Sequence, residues 1–109
     1  MNLAVSADGF RARRGFGSKA IKWADVREIE GTVLSKVTYD ENFLVFTTIS
    51  GTLDVGELDK GFAAFERALL DQFPNFPEDW RTRIEAAGYN SRVTLWSRNG
   101  EESVPRRVR

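Results

Sequence analysis

Apolar residues recur with period two through the first half of the chain and with a helical spacing after residue 59. Leu3-Ala-Val5 and Phe10-Arg-Ala-Arg-Arg14 flank Asp8-Gly9, a dipeptide suited to the positive φ values of a tight hairpin. Phe10 and Ala12 share one face of the second segment, with the arginines largely on the other. Gly15-Phe-Gly-Ser18 reads as the next turn and Ala20-Ile-Lys-Trp23 as the next strand; residues 26–30 alternate too irregularly to assign. Val33, Ser35, Val37 and Tyr39 share a face at period two, with Lys36 and Thr38 opposite, and Asp40-Glu-Asn42 reads as a polar turn. Residues 43–49 are apolar on both faces and rich in β-branched and aromatic side chains, the signature of a central, doubly covered strand. Ser50-Gly51 is a hairpin turn, and residues 52–58 alternate as the antiparallel return.

The period then changes. Asp59 is positioned to cap a helix with its carboxylate. Phe62, Phe65, Leu69, Leu70 and Phe73 form one helical stripe, which Pro74 ends. A short second helix is expected from about Pro77, with the stripe Trp80, Ile84 and Ala87 and Gly88 as its stop. Arg92-Val-Thr-Leu-Trp-Ser97 reads as a last strand, on which Trp96 lies opposite Val93 and Leu95 in parity and so is expected on the second sheet face or at a binding surface. The order of strands, helix, short helix and strand predicts an α+β fold: an antiparallel, strongly bent sheet or partial barrel. Residues 1–98 are expected to form one domain and 99–109 a basic tail carrying Arg106, Arg107 and Arg109.

A length of 109 residues suits one domain, and 41% hydrophobic residues supply its core without disulfides, since there is no cysteine. No signal-like or membrane-spanning run is present, so the chain is expected in the cytoplasm. The net charge is zero but segregated. Residues 1–27 carry six Lys/Arg against two Asp/Glu, residues 28–79 three against eleven, and residues 80–109 seven against three. An acidic middle lies between basic ends.

There is no histidine, which removes the commonest general base and the commonest zinc ligand. Gly15-Phe-Gly17 lacks the third glycine of a dinucleotide fingerprint, and 54–59 lacks the alternating oxygens of a calcium loop, so neither cofactor nor metal is expected. Paired carboxylates at Glu28 and Glu30, or at Asp40 and Glu41, are the only acid–base candidates, and neither pair has the apolar surround that would separate two pKa values. The chain is therefore read as non-enzymatic, with a carboxylate-based site as the weakest reading. Arg11, Arg13, Arg14, Lys19 and Lys22 flank the glycine turn and suit a phosphate or lipid headgroup. The zero net charge argues against nucleic acid. Asp40, Glu41, Asp54, Glu57 and Asp59, with Trp96, form the candidate face for a protein partner. An exposed strand edge would allow a homo-oligomer.

Val5-Ser-Ala-Asp-Gly-Phe-Arg-Ala-Arg-Arg14 followed by Ile21-Lys-Trp-Ala-Asp-Val26 resembles the opening of bacterial pleckstrin-homology-like domains, over roughly residues 1–70. The resemblance implies a bent sheet closed by the 61–70 helix and a basic loop at Arg11, Arg13, Arg14, Lys19 and Lys22. Pro77-Glu-Asp-Trp80 and Val93-Thr-Leu-Trp96 depart from that pattern and look like small bacterial immunity partners of secreted toxins. Together these imply a protein-binding module, of the immunity-inhibitor type, with an anionic-headgroup module as the alternative.

Overall fold

A computed structural model describes residues 1–98; the tail expectation for 99–109 lies outside the described residues. The chain is α+β. Strands β1 (Asn2–Val5), β2 (Gly9–Arg14) and β3 (Gly17–Lys22) form one antiparallel sheet in the order β1-β2-β3. Strands β4 (Val26–Ser35), β5 (Asp40–Thr48), β6 (Gly51–Gly56) and β7 (Val93–Ser97) form a second, in the order β6-β5-β4-β7. Helices α1 (Phe62–Gln72) and α2 (Trp80–Ala87) lie between β6 and β7 in the chain. The two sheets do not close into a barrel. A 3-10 turn over Trp23–Asp25 parts β3 from β4 and buries Trp23 in the core.

One apolar cluster joins both sheets and both helices. Phe10 of β2, Phe46 of β5 and Phe65 of α1 meet with ring centroids 4.8–5.7 Å apart, and Trp23 lies 5.2 Å from Phe10. Phe62, Phe65, Leu69 and Phe73 supply the α1 side, as the stripe predicts. From α2, Trp80 and Ile84 are buried but Ala87 is exposed. Gly31 of β4 makes room for α2: a Cβ there would stand 2.5 Å from Ile84 Cγ2.

Several local expectations are corrected by register. Strand β5 pairs with β4 so that Ile29 faces Phe46 and Ser35 faces Asp40. The hairpin tip therefore falls at residues 36–39, where Lys36 N–H donates to Tyr39 C=O (2.7 Å). Val37 and Tyr39 are exposed, and Asp40-Glu41-Asn42 is strand rather than turn. Residues 26–30 belong to β4, and a register shift between Val26 and Glu28 turns both Val26 and Ile29 inward, which explains the irregular alternation. Asp8-Gly9 does not use positive φ; Gly9 is required because a Cβ would run into the β3 backbone at Ile21. Strand β5 is central, but its second face is not covered by an apolar layer: Val45 is buried between the register partners Glu30 and Asp54, outside the main cluster. Asp59 does not cap α1. Gly61 occupies the cap with φ +89°, and the Asp59 carboxylate accepts the Gly56 N–H (2.8 Å).

Candidate functional site

In an antiparallel ladder, directly paired residues share a face. Ala12 pairs with Lys19 and Arg14 with Gly17, so Lys19 and Arg14 project on the same side as buried Phe10 and Ala12. Arg11 pairs with Ala20, Arg13 with Ser18 and Lys22 with Gly9, on the opposite side. The five predicted cations are thus divided between two faces. Arg11 and Lys22 line an outer depression of about 310 Å³ with Asp8, and Arg11 donates to Ser18 Oγ (3.3 Å). Arg14 and Lys19 instead enter a cleft of about 440 Å³ with Ser18, Thr52, Leu53 and Asp54.

This cleft lies between two hairpin tips, residues 14–19 of β2–β3 and residues 48–52 of β5–β6. Lys19 Nζ is 3.9 Å from where a Cβ on Gly51 would sit, so the tips are neighbours. Gly15 (φ +58°) and Gly51 (φ +133°) take the positive φ values that such turns require. Each tip ends in an unpacked apolar side chain: Phe16 is fully exposed and Ile49 is 81% exposed. None of Arg11, Arg13, Arg14, Lys19 or Lys22 takes part in an ion pair among the described residues. Donor groups with no internal carboxylate to satisfy them are available to an external anion.

The predicted acidic face is distributed differently. Glu41 is buried and accepts the Leu58 N–H (3.3 Å). Glu57 accepts from Asn42 Nδ2 (2.9 Å) and pairs with Arg81. Asp59, besides the Gly56 amide, lies 3.5 Å from the N-terminal ammonium. Asp54 is exposed in the cationic cleft, and Asp40 is exposed at the far end of β5, where it accepts the Tyr89 hydroxyl (2.8 Å). Trp96 does not face the second side of the sheet. A register shift in β7 between the pairs Ile29–Trp96 and Glu30–Thr94 reverses its parity and seats it on Phe73, with centroids 4.6 Å apart. Glu28 and Glu30 share the outer face of β4, where Glu30 is buried against Arg92 (3.1 Å) and Glu28 accepts Thr94 Oγ1 (3.3 Å). Among the described residues no group of three or more Asp/Glu side chains could hold a metal.

Three perturbed groups mark two structural joints. Arg81 donates to both oxygens of Glu66 (2.8 and 3.0 Å) and to Glu57, and stacks on Trp80 (4.5 Å to the ring centroid). These bonds hold the Glu66 carboxyl below its usual range against the opposing effect of burial, and raise the Arg81 guanidinium. The bond to Asp40 raises the Tyr89 phenol, at a second cleft of about 370 Å³ lined by Val33, Asp40, Asn42, Glu85, Gly88 and Tyr89. Exposed Val37, Tyr39 and Leu58 belong to this same end of the sheet. Strand β5, nine residues long, separates it from the cationic tips by roughly 26 Å at the ordinary strand rise.

Phe16, Ile49 and Tyr89 escape a reading by periodicity. Phe16 had a signal: a phenylalanine between two glycines at a turn has no neighbouring layer to bury it. Ile49 continues an apolar run, and only the register shows that β5 has already ended at Thr48.

Compared with family models, curated proteins and solved structures, the chain matches none, and no family is assigned to it. Among the described residues no helix is long and apolar enough to cross a membrane.

Proposed function

We propose that this chain is a non-enzymatic binding module that engages a phosphate-bearing anion at the cationic hairpin end. The observation that carries the reading is the entry of Arg14 and Lys19, neither ion-paired among the described residues, into one cleft from the same face of the hairpin. Leu53 and Ala12 supply an apolar wall, and the outward Arg13 adds to the local field. Two cations can hold a phosphate by charge-assisted hydrogen bonds without any proton transfer, which suits a chain without histidine. Titration of labelled protein with inorganic phosphate and with glycerophosphate, followed by amide NMR, tests this. Shifts should concentrate at residues 14–19 and 51–54 and vanish in R14E/K19E. Absence of shifts there up to millimolar ligand would refute the reading.

A second reading is supported by the opposite end. Val37, Tyr39, Leu58 and Tyr89 are exposed beside Asp40 and Glu85, a mixture of aromatic, aliphatic and acidic groups that suits a basic protein surface. This is the reading under which the chain inhibits a toxin-like partner. Tagged protein should then recover one partner at near-stoichiometric level from its host, and Y39A/Y89A should lose it. Recovery of no such partner, or undiminished recovery by Y39A/Y89A, rules this reading out.

A further inference from the structure

We infer that the anion engaged at the hairpin end is carried by a lipid bilayer, and that Phe16 and Ile49 enter its interfacial zone; the inference rests on the anion-binding reading above. Among the described residues neither side chain packs into the core. Phe16 stands free between Gly15 and Gly17, and Ile49 projects from the neighbouring tip. Large apolar groups displayed on two adjacent turns require an apolar environment to gain anything from their exposure. A soluble anion offers none.

The surroundings match a headgroup layer. Residues 13–19 and 47–52 contain Arg13, Arg14 and Lys19 but no carboxylate, and otherwise only Gly, Ser and Thr beside Phe16 and Ile49. Arg14 pairs with Gly17 and so lies level with the residue beside Phe16, and Lys19 lies two residues further back along the hairpin, so the two cations stand on the order of 3–10 Å behind the tip. That is comparable to the ~5–10 Å by which interfacial apolar groups sink beneath the headgroups. With the ring at the acyl boundary, the cations reach the phosphates. Asp40 and Glu85 sit at the opposite end of β5, where a negative surface repels them least. A protein partner fits less well. A stable protein interface needs a continuous surface of ~800 Å² per side, whereas lipid closes around each of two separate tips.

The test is sedimentation with vesicles of phosphatidylcholine containing about one third phosphatidylglycerol, against pure phosphatidylcholine, at about 0.1 M salt. Wild-type protein should bind the anionic vesicles and not the neutral ones. F16S and I49S alter exposed turn residues and leave the core intact; each should lower partitioning roughly tenfold, and the double variant more. Glycerophosphate shifts at residues 14–19 should be unchanged in F16S/I49S. Undiminished vesicle binding by the double variant overturns insertion, as does phosphate binding without any vesicle binding, which leaves the anion-binding reading standing. Failure to bind either phosphate or vesicles removes both. Capture of a protein that depends on Phe16 and Ile49, without vesicle binding, assigns the tips to a protein instead and also overturns the inference.

Discussion

Replacing Gly31 by alanine tests how α2 is seated on the sheet. A Cβ there would lie 2.5 Å from Ile84 Cγ2 and 2.9 Å from Leu95 Cδ1. Carbon atoms in contact prefer about 3.5–4.0 Å, so something must move by about 1 Å. Ile84 and Leu95 are both fully buried, and Leu95 sits at the register shift of β7. Neither can swing into solvent, so the displacement passes to α2 itself. Overpacking of this kind costs about 1–3 kcal/mol. Loss of glycine's backbone freedom returns about 0.5–1 kcal/mol. The net expectation is a destabilisation of about 1–2 kcal/mol, or roughly 5–15 °C in Tm for a chain of this size. Urea unfolding of wild type, G31A, I84A and G31A/I84A measures it directly. I84A alone should cost about 2–5 kcal/mol through its cavity. In that background the new methyl has room, so G31A should become neutral or mildly stabilising, a coupling of about 1–2 kcal/mol. If G31A lies within about 0.5 kcal/mol of wild type, or costs the same in both backgrounds, the close approach of α2 to β4 is not what requires glycine here.

Other expectations follow from single contacts. The carboxyl of Glu66 is lowered in the fold, so its contribution is present above the ordinary carboxylate pKa of about 4.3 and lost as pH falls through the lower folded value. E66Q should therefore flatten the acid limb of the stability–pH curve below about pH 4.3, and unchanged slopes in that window would exclude the effect. Among the described residues, Trp23 Nε1 is buried without a hydrogen-bond partner, whereas Trp80 Nε1 donates to Glu66 at 2.9 Å. In urea unfolding W23F should cost less than W80F by about 1 kcal/mol, and a larger loss in W23F would contradict this. At Gly61, φ is +89° and a Cβ would stand 2.5 Å from the Leu3 carbonyl oxygen. G61A should cost about 2 kcal/mol and expose the Leu3 amide, which donates to Lys60 C=O at 2.8 Å, to hydrogen exchange. Undisturbed protection at Leu3 would show that β1 tolerates the methyl. Asp54 faces the cationic cleft, so D54N should tighten phosphate binding in the NMR titration, and weaker binding would argue that Asp54 helps to position the ligand.

Much of the fold was legible along the chain because burial imposes a period. The α1 stripe and the central strand β5 follow from which positions must avoid water, and the stop at Gly88 from the positive φ (+91°) that glycine supplies at a helix end. The α+β order follows in turn from where the period changes. Element ends were less legible. Val37 and Tyr39 have strand-forming side chains and yet form a turn, because pairing Ile29 with Phe46 centres the hairpin between residues 37 and 38. Local preference there is worth less than a buried pair.

The candidate site divides in the same way. The order of residues along the chain already excludes histidine and cysteine chemistry, gathers cations around one glycine turn and gathers carboxylates in the middle. Which of these charges remain available depends on how the strands pair. Strand parity sends Arg14 and Lys19 to one face and Arg11, Arg13 and Lys22 to the other. Glu41, Glu57 and Asp59 are occupied by a backbone amide, by Arg81 and by the chain terminus, since a carboxylate leaving water must find donors. Likewise, composition fixes how many apolar residues exist, but the register leaves Ile49 outside the core: periodicity describes one strand, and exposure is settled by whether a second layer reaches it.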